Sequence, residues 1–457
     1  MKRTSTAFRH APLRMALILG LLAGGASWAQ AQTQAAHVGG ESRPGAPFVN
    51  ASSTNGAAMA APPGRTVASL LDYARENNPE YAAMRYEAQA AQERIEPAGA
   101  LMDPKVQIEW RDITKMGEQG ATLSPSRVGS TKYLLMQDLP WYGKRDLKRE
   151  IAELEAAGAE GRARGNWAEL SAKVKALHTQ LYTVEHNAAL AREILDLMLR
   201  LERLAQVRYG SGLAAQADVI RAQSEQTAMR NELILLDNEK RQLEARLNGL
   251  LARPAGALLA APEQLRPLPA PAQLEFDTLA ERVRARNPRL FSDGHGIRAA
   301  EKNRELTLKN RYPDFTVGVS PIQYQSEVKE WEVMLQFNLP LQQGTRRAQE
   351  REAEAMLAAA QARKEASVNQ IFSELAENLS ALDAARRSAT LIEDSLLPQA
   401  ELTLRSALAA YENGKVDFAT LLEAQRQIRQ ARVNLLKTQG DARVRLAEVE
   451  RLLGDEL

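Results

Sequence analysis

The chain contains no cysteine. That excludes disulfides, thiolate metal ligands and a lipid attached through sulfur, so the fold must be held by packing alone. Aromatic residues are scarce at 5%. The abundance of Ala, Leu, Glu, Gln and Arg points instead to long helices rather than a compact mixed domain. After residue 31 no apolar run approaches the roughly 20 residues that a membrane-crossing helix needs, so any entry into a bilayer must be by strands. A large charge of one sign is also absent. The formal net charge is +2, and Lys2, Arg3, Arg9 and Arg14 supply four of the cations. Without that N-terminal stretch the chain is slightly acidic, which excludes a basic nucleic-acid binder.

Catalytic signatures are missing as well. There is no phosphate loop, nucleophile elbow, zinc-protease helix or dinucleotide glycine fingerprint, so no catalytic or cofactor-binding residue is assigned. Acidic pairs sit among Arg and Lys on helical faces and read as solvated surface. Of the five histidines, His178 and His186 share a helix but point about 80° apart, whereas a metal site needs converging ligands. His10, His37 and His295 stand alone, and the methionines are scattered. No metal site is assigned.

What the sequence does contain is a repeat. Asn78-Pro79 recurs 209 residues later as Asn287-Pro288, and Asp103-Pro104 as Tyr312-Pro313. Asp138-Leu139-Pro140 recurs as Asn338-Leu339-Pro340, and Tyr209-Gly210-Ser211-Gly212 as Tyr411-Glu412-Asn413-Gly414. The unit is too long for a solenoid repeat, so it reads as a duplicated half-protein. Residues 1–31 have the charged start, short apolar run and Ala29-Gln30-Ala31 site of an export signal. Residues 32–65, rich in Ala, Gly, Ser and Pro, read as a flexible extension. The repeats are expected over 66–251 and 276–457. They are joined by a connector over 252–275 that Pro254, Pro262, Pro267, Pro269 and Pro271 keep extended.

Within each repeat the hydrophobic period switches. A helix is expected to start near Val67 and break before Asn78-Pro79, and a second to run from about Glu80 to Leu101. Val106, Ile108 and Trp110 then alternate with Lys105, Gln107, Glu109 and Arg111, which predicts a strand with one apolar face. A loop over Met116 to Ser130 leads to a second strand over Thr131 to Asp138. In the second copy Phe315, Val317 and Val319 mark one strand, and Trp331, Val333, Leu335, Phe337 and Leu339 mark another. Rods follow, over Lys144 to Arg208 and Thr345 to Ala410, the second with a kink expected at Pro398. Leu190, Ile194, Leu197, Leu201 and Leu204, and Leu421, Ala424, Ile428, Ala431 and Leu435, form heptad seams, so the rods pack as coiled coils. Two strands per copy are too few for a soluble sheet. The alternation is what a transmembrane barrel requires, with the apolar residues facing lipid. Four strands per chain cannot close a barrel, but three chains supply twelve.

The order of helix, two strands, long helix, glycine turn and return helix resembles the TolC-like outer-membrane factors. These are exit ducts of tripartite efflux pumps and type I secretion systems. The most specific pieces are Tyr209-x-x-Gly212-Leu213 with Asp218-Val219, and Tyr411-x-x-Gly414 with Leu421-Leu422-Glu423-Ala424-Gln425. The run Leu139-Pro140-Trp141-Tyr142-Gly143-Lys144-Arg145 is similar to the heavy-metal efflux branch. The resemblance implies a mainly α fold with transmembrane β: a homotrimer with a twelve-stranded barrel in the outer membrane of a Gram-negative bacterium and a periplasmic helical tunnel. It implies a periplasmic adaptor and an inner-membrane pump of the RND type as partners, with outer-membrane lipid around the barrel. It also implies that Tyr209, Gly212, Leu213, Asp218, Tyr411 and Gly414 lie at the helical tip that meets the adaptor, with Tyr411 and Glu423 near the aperture. Thr420 stands where relatives carry an Asp, and Asp417 is the nearest substitute. The Cys-borne lipid anchor of many metal-type relatives is not expected. A type I protein-secretion duct and, in another class, a soluble periplasmic coiled-coil scaffold are the alternatives. A requirement for detergent separates duct from scaffold.

Overall fold

The computed structural model describes residues 62–457. The expected export signal and residues 32–61 lie outside the described residues. Each half begins with the same device. Helix α1 (Val67–Asn77) gives way at Asn78 to α2 (Pro79–Glu93), and α6 (Phe276–Arg286) gives way at Asn287 to α7 (Pro288–Lys309). Proline at a first helical position has no N–H to lose, and the residue before it avoids helical geometry. Asn78 Oδ1 accepts from the Tyr81 amide at 2.8 Å and Asn287 Oδ1 from the Leu290 amide at 2.9 Å. The two side-chain amides donate to the Leu250 carbonyl at 2.8 Å and the Leu452 carbonyl at 2.7 Å. The repeated Asn-Pro therefore ties a capped helix start to the end of its own half's return helix.

The helix expected over Glu80 to Leu101 is instead broken. α2 ends at Glu93 and a short α3 (Ile95–Gly99) follows, because Pro97 cannot donate to the carbonyl four residues back. Strands β1 (Lys105–Arg111), β2 (Ser130–Leu139), β3 (Phe315–Tyr324) and β4 (Glu327–Phe337) form one antiparallel sheet in chain order. Each half contributes a hairpin, and β2 pairing with β3 joins them. β1, at 7 residues, falls short of the ~9–11 of a bilayer crossing, since Pro104 ends the ladder. β4 stops at Phe337, before the Leu339 that the alternation had included. Residues 112–129 connect β1 to β2, whereas β3 and β4 meet in a tight turn with Gln325 at φ 56°.

The rods are continuous with the strands. α4 (Lys144–Gly210) runs 67 residues without interruption, about 100 Å, and α5 (Gln216–Leu250) returns. In the second half α8 (Gln343–Leu391) passes through one π-helical turn, Ile392–Leu396, into α9 (Leu397–Glu412) before α10 (Phe418–Leu453) returns. The kink expected at Pro398 is this π turn. Proline removes the hydrogen bond to residue 394, and the widened turn accommodates the loss. Near the sheet the helices lie in the order α2, α4, α7, α8. Farther away the order is α5, α4, α10, α8–α9. The two heptad seams meet in one core, where Leu190, Ile194 and Leu201 of α4 bury against Leu421 and Ala424 of α10, with Leu197 and Leu204 at its margin.

Two polar clusters hold the layers in place. At the sheet–helix junction Gly143 takes φ 78°, as only glycine does cheaply. Buried Lys144 then reaches the Asp314 Oδ1 at 2.8 Å, an oxygen that also accepts from the Trp141 amide at 2.7 Å. Trp141 stacks on Tyr312 with ring centroids 5.0 Å apart. The Leu139-to-Arg145 run is thus the joint between sheet and rod. Midway along the rods buried Lys175 pairs with Glu450 at 2.8 Å. Arg266 of the connector reaches the same carboxylate at 2.6 Å.

Candidate functional site

Two surfaces carry the sequence-derived site residues. The first is the sheet. The strand register puts Val106, Ile108 and Trp110 on one face with Leu135, Phe315, Val317, Val319, Trp331, Val333, Leu335 and Phe337. Nine of the ten expected lipid-facing residues are exposed in the chain, Val333 at 85%. The tenth, Phe315, is half-covered by Trp141 and Phe337. Aromatics cluster at both ends, with Trp110, Trp331 and Tyr133 far from the helices and Phe315, Phe337 and Trp141 next to them. Aliphatic residues fill the middle. The other face holds charges: Lys105 pairs with Asp138 at 2.7 Å, and Lys132 with Glu332. Leu134, Met136, Ile322 and Met334 are the apolar exceptions there. An exposed apolar face opposite a charged one is inside-out for a protein in water and suited to a wall between lipid and a wet lumen.

The second surface is the pair of turns at the far end of the rods. Both are closed by the same backbone pattern. The Leu213 amide donates to the Arg208 carbonyl, and Lys415 to Ala410, each at 2.8 Å. Gly212 donates to Tyr209, and Gly414 to Tyr411, each at 3.0 Å. Gly212 has φ 72° and Gly414 has φ 69°. These are Schellman-type closures whose left-handed position calls for glycine.

Side chains then separate the two turns. Tyr411 is 2% exposed and packs edge-on against buried Phe418 at 5.4 Å. The Arg208 guanidinium lies 5.1 Å from the Tyr411 ring centroid, and its Nη1 donates to the Glu412 carbonyl at 2.8 Å. Burial pushes the Tyr411 phenol up, and the Asp218 carboxylate adds to this. The hydroxyl has no hydrogen-bond partner among the described residues. In contrast, Tyr209 and Leu213 are exposed, together with Val207 and Ile220. Asp417 caps α10, accepting from the Thr420 amide at 2.9 Å and the Thr420 hydroxyl at 2.6 Å. Those bonds hold its carboxyl below the usual range. α5 has no side-chain cap. Glu423 is exposed and accepts only from Gln427, at 3.3 Å.

The site residues are therefore divided. Arg208 reaches Tyr411, Glu412 and Gly414 of the second turn, and the Asp218 carboxylate acts on the same Tyr411 phenol, while Tyr209, Leu213 and Glu423 stand apart on the surface. Tyr411, expected near an aperture, is packed against Phe418 inside the chain. Arg208 itself was missed, because its partner lies 204 residues away and no local pattern marks the contact.

The family model for outer membrane efflux protein matches residues 70–253 and 279–455, spanning both halves. The cobalt-zinc-cadmium resistance protein CzcC of Cupriavidus metallidurans is 25% identical over 67% of this chain and 71% of its own length. Among solved structures, CusC superposes with a TM-score of 0.73 at 18% identity, covering 85% of this chain and 92% of CusC. VceC of Vibrio cholerae superposes with a TM-score of 0.72 at 17% identity, covering 85% of this chain and 96% of VceC. Those likenesses show the same fold, an exposed four-stranded sheet on long helical rods, and the family match covers most of the chain. The chain belongs to the outer membrane efflux protein family, and is a passive outer-membrane channel with a periplasmic helical tunnel rather than an enzyme or a soluble scaffold.

Proposed function

We propose that three copies of this chain close into one exit duct. A periplasmic adaptor and an inner-membrane pump of the RND type would deliver divalent metal cations to it. The observation that carries the reading is that both layers end on unsatisfied edges. β1 and β4 each have a strand partner on one side only among the described residues. An exposed edge with an apolar face is a liability unless another chain pairs with it. Below the sheet, Ile220, Ile234 and Leu235 of α5 and Leu391, Leu396 and Leu402 of the α8–α9 rod are exposed on the two outer helices. One rotation that pairs β4 with the next chain's β1 also brings α8–α9 to the next chain's α5, and repeating it twice gives twelve strands.

In this reading residues 1–31 are the export signal, and the halves 66–251 and 276–457 are joined by the 252–275 connector. The turns bearing Tyr209, Gly212 and Leu213, and Tyr411, Gly414 and Asp417, form the adaptor-facing tip, with Asp218 and Glu423 beside them. The likeness to CzcC supports metal cations as cargo over protein secretion. Export would be driven by the pump, with the duct opened by docking at the tip.

Val333→Arg tests the membrane wall. A lipid-facing Arg costs about 2–4 kcal/mol near the bilayer midplane, so the variant should vanish from the membrane fraction while Gln336→Arg on the charged face persists. Equal tolerance of both would refute the barrel. Light scattering in mild detergent should give three chains per particle. A strain lacking the gene should become sensitive to cobalt, zinc or cadmium, and unchanged metal tolerance would remove the cargo assignment.

A further inference from the structure

We propose that the joint between sheet and rods is a binding collar for anionic glycerophospholipid headgroups in the periplasm-facing leaflet. The inference rests on the barrel reading above. Exposed apolar residues do not stop where the strands stop. Leu101 and Met102 precede β1, Tyr142 follows β2, Tyr312 precedes β3, and Leu339 and Leu341 follow β4, and all six are exposed. Every strand–helix joint thus extends the lipid-facing surface by one step toward the helices. Amphipathic tyrosines at that depth suit the boundary between acyl chain and headgroup.

Directly beneath lie four cations, Arg145, Lys148, Lys309 and Arg347, and none pairs with a carboxylate among the described residues. Arg145 donates to the Gly99 carbonyl at 2.9 Å, and Lys309 to the Tyr142 carbonyl at 3.5 Å. Half-buried Arg346 donates to the Asn310 carbonyl, while three other nearby cations are paired: Arg149 finds Glu153 at 3.1 Å, Lys302 finds Glu150 at 3.0 Å and Arg311 finds Glu350 at 2.6 Å. Arg145, the second residue of α4, sits in that helix's first turn together with Asp146, and Lys148 and Arg347 follow at the fifth positions of α4 and α8. Unpaired cations immediately below an apolar collar fit an external anion with acyl chains attached. A phosphatidylglycerol headgroup has that chemistry. A phosphatidylethanolamine headgroup brings its own ammonium and fits less well.

The test counts lipids bound to the purified full-length protein by native mass spectrometry, titrating phosphatidylglycerol or phosphatidylethanolamine in detergent. Wild type should hold phosphatidylglycerol at roughly tenfold lower concentration. The combined variant Arg145→Gln, Lys148→Gln, Lys309→Gln and Arg347→Gln should lose that preference at unchanged particle mass. Equal binding of the two lipids by wild type, or an undiminished preference in the variant, overturns the collar. If the variant does not assemble, wild type at about 1 M salt decides, because a charge-based preference must collapse there and its persistence overturns the proposal. A protein soluble without detergent would overturn both this proposal and the duct, whereas a membrane trimer without lipid preference would overturn this one alone.

Discussion

The two turns at the rod ends share a backbone and differ in nearly everything attached to it. Both close with the same hydrogen bonds and a left-handed glycine. Yet the tyrosine three residues before that glycine is buried in the second turn and exposed in the first. The second turn uses its apolar groups internally, through Tyr411, Phe418 and the Arg208 that reaches over from the first. The first leaves Val207, Tyr209, Leu213 and Ile220 outside. What a duplication preserves is what backbone geometry demands. Side chains, freed from that demand, have made one turn a brace and left the other with its apolar groups exposed.

Tyrosine truncation should open the widest gap between the turns. Tyr411→Ala removes a buried aromatic and is expected to cost about 3–5 kcal/mol. Tyr209→Ala should stay within about 0.5 kcal/mol but weaken cross-linking to the adaptor. Denaturant midpoints and cross-linking yields on both variants check this, and a reversed order would undo the brace-and-contact distinction.

Where the copies agree, substitutions should agree. Asn78→Ala and Asn287→Ala each delete a cap and strand a buried carbonyl, so each should cost about 2–3 kcal/mol. Thermal unfolding should place the two variants close together. A difference larger than about 1 kcal/mol would mean that the two helix starts are not equivalent.

Glycine replacement should give an intermediate contrast. Gly212→Val and Gly414→Val both force a branched residue into left-handed backbone, at about 1–3 kcal/mol. A Cβ at Gly212 meets open space, while one at Gly414 comes within 3.2 Å of Arg208 Nη2. Gly414→Val should therefore be the less stable, and both should abolish export while the particle remains assembled. Unchanged metal tolerance in both would remove these turns from the export path.

The smallest effect is in pH. Asp417 is held below its usual pKa by Thr420, so its folded form binds protons less readily than the unfolded chain. That stabilisation is complete above the unfolded carboxylate's range and is lost as pH falls through the lower folded value. Amide exchange at the start of α10 should rise below pH ~4, and Asp417→Asn should flatten the response. The start of α5, with no side-chain cap, should show no such step.

Much of this was legible locally. The period-2 alternation identified the strands and their apolar face, because side-chain direction along a strand follows from covalent geometry. Proline and glycine marked helix starts and turns for the same kind of reason, and the Asn-Pro repeat located two capped joints. The breaks in the expected elements were also local. Pro97 cuts α2 short, Pro104 shortens β1, and Pro398 yields a π turn rather than a simple kink.

Sequence by itself thus determined the element order and which strand face is apolar, which depend on residues within a few positions of one another, and the duplication, which shows as short local motifs written twice. Only the tertiary structure decided that Tyr411 is a buried brace, that Arg208 spans both turns, that Lys144 anchors the joint through Asp314, and that four cations near it stay unpaired. The Lys144 and Arg208 contacts join residues 170 and 204 positions apart along the chain. Packing of long rods brings them together, and no local pattern records which of many charges and rings will meet.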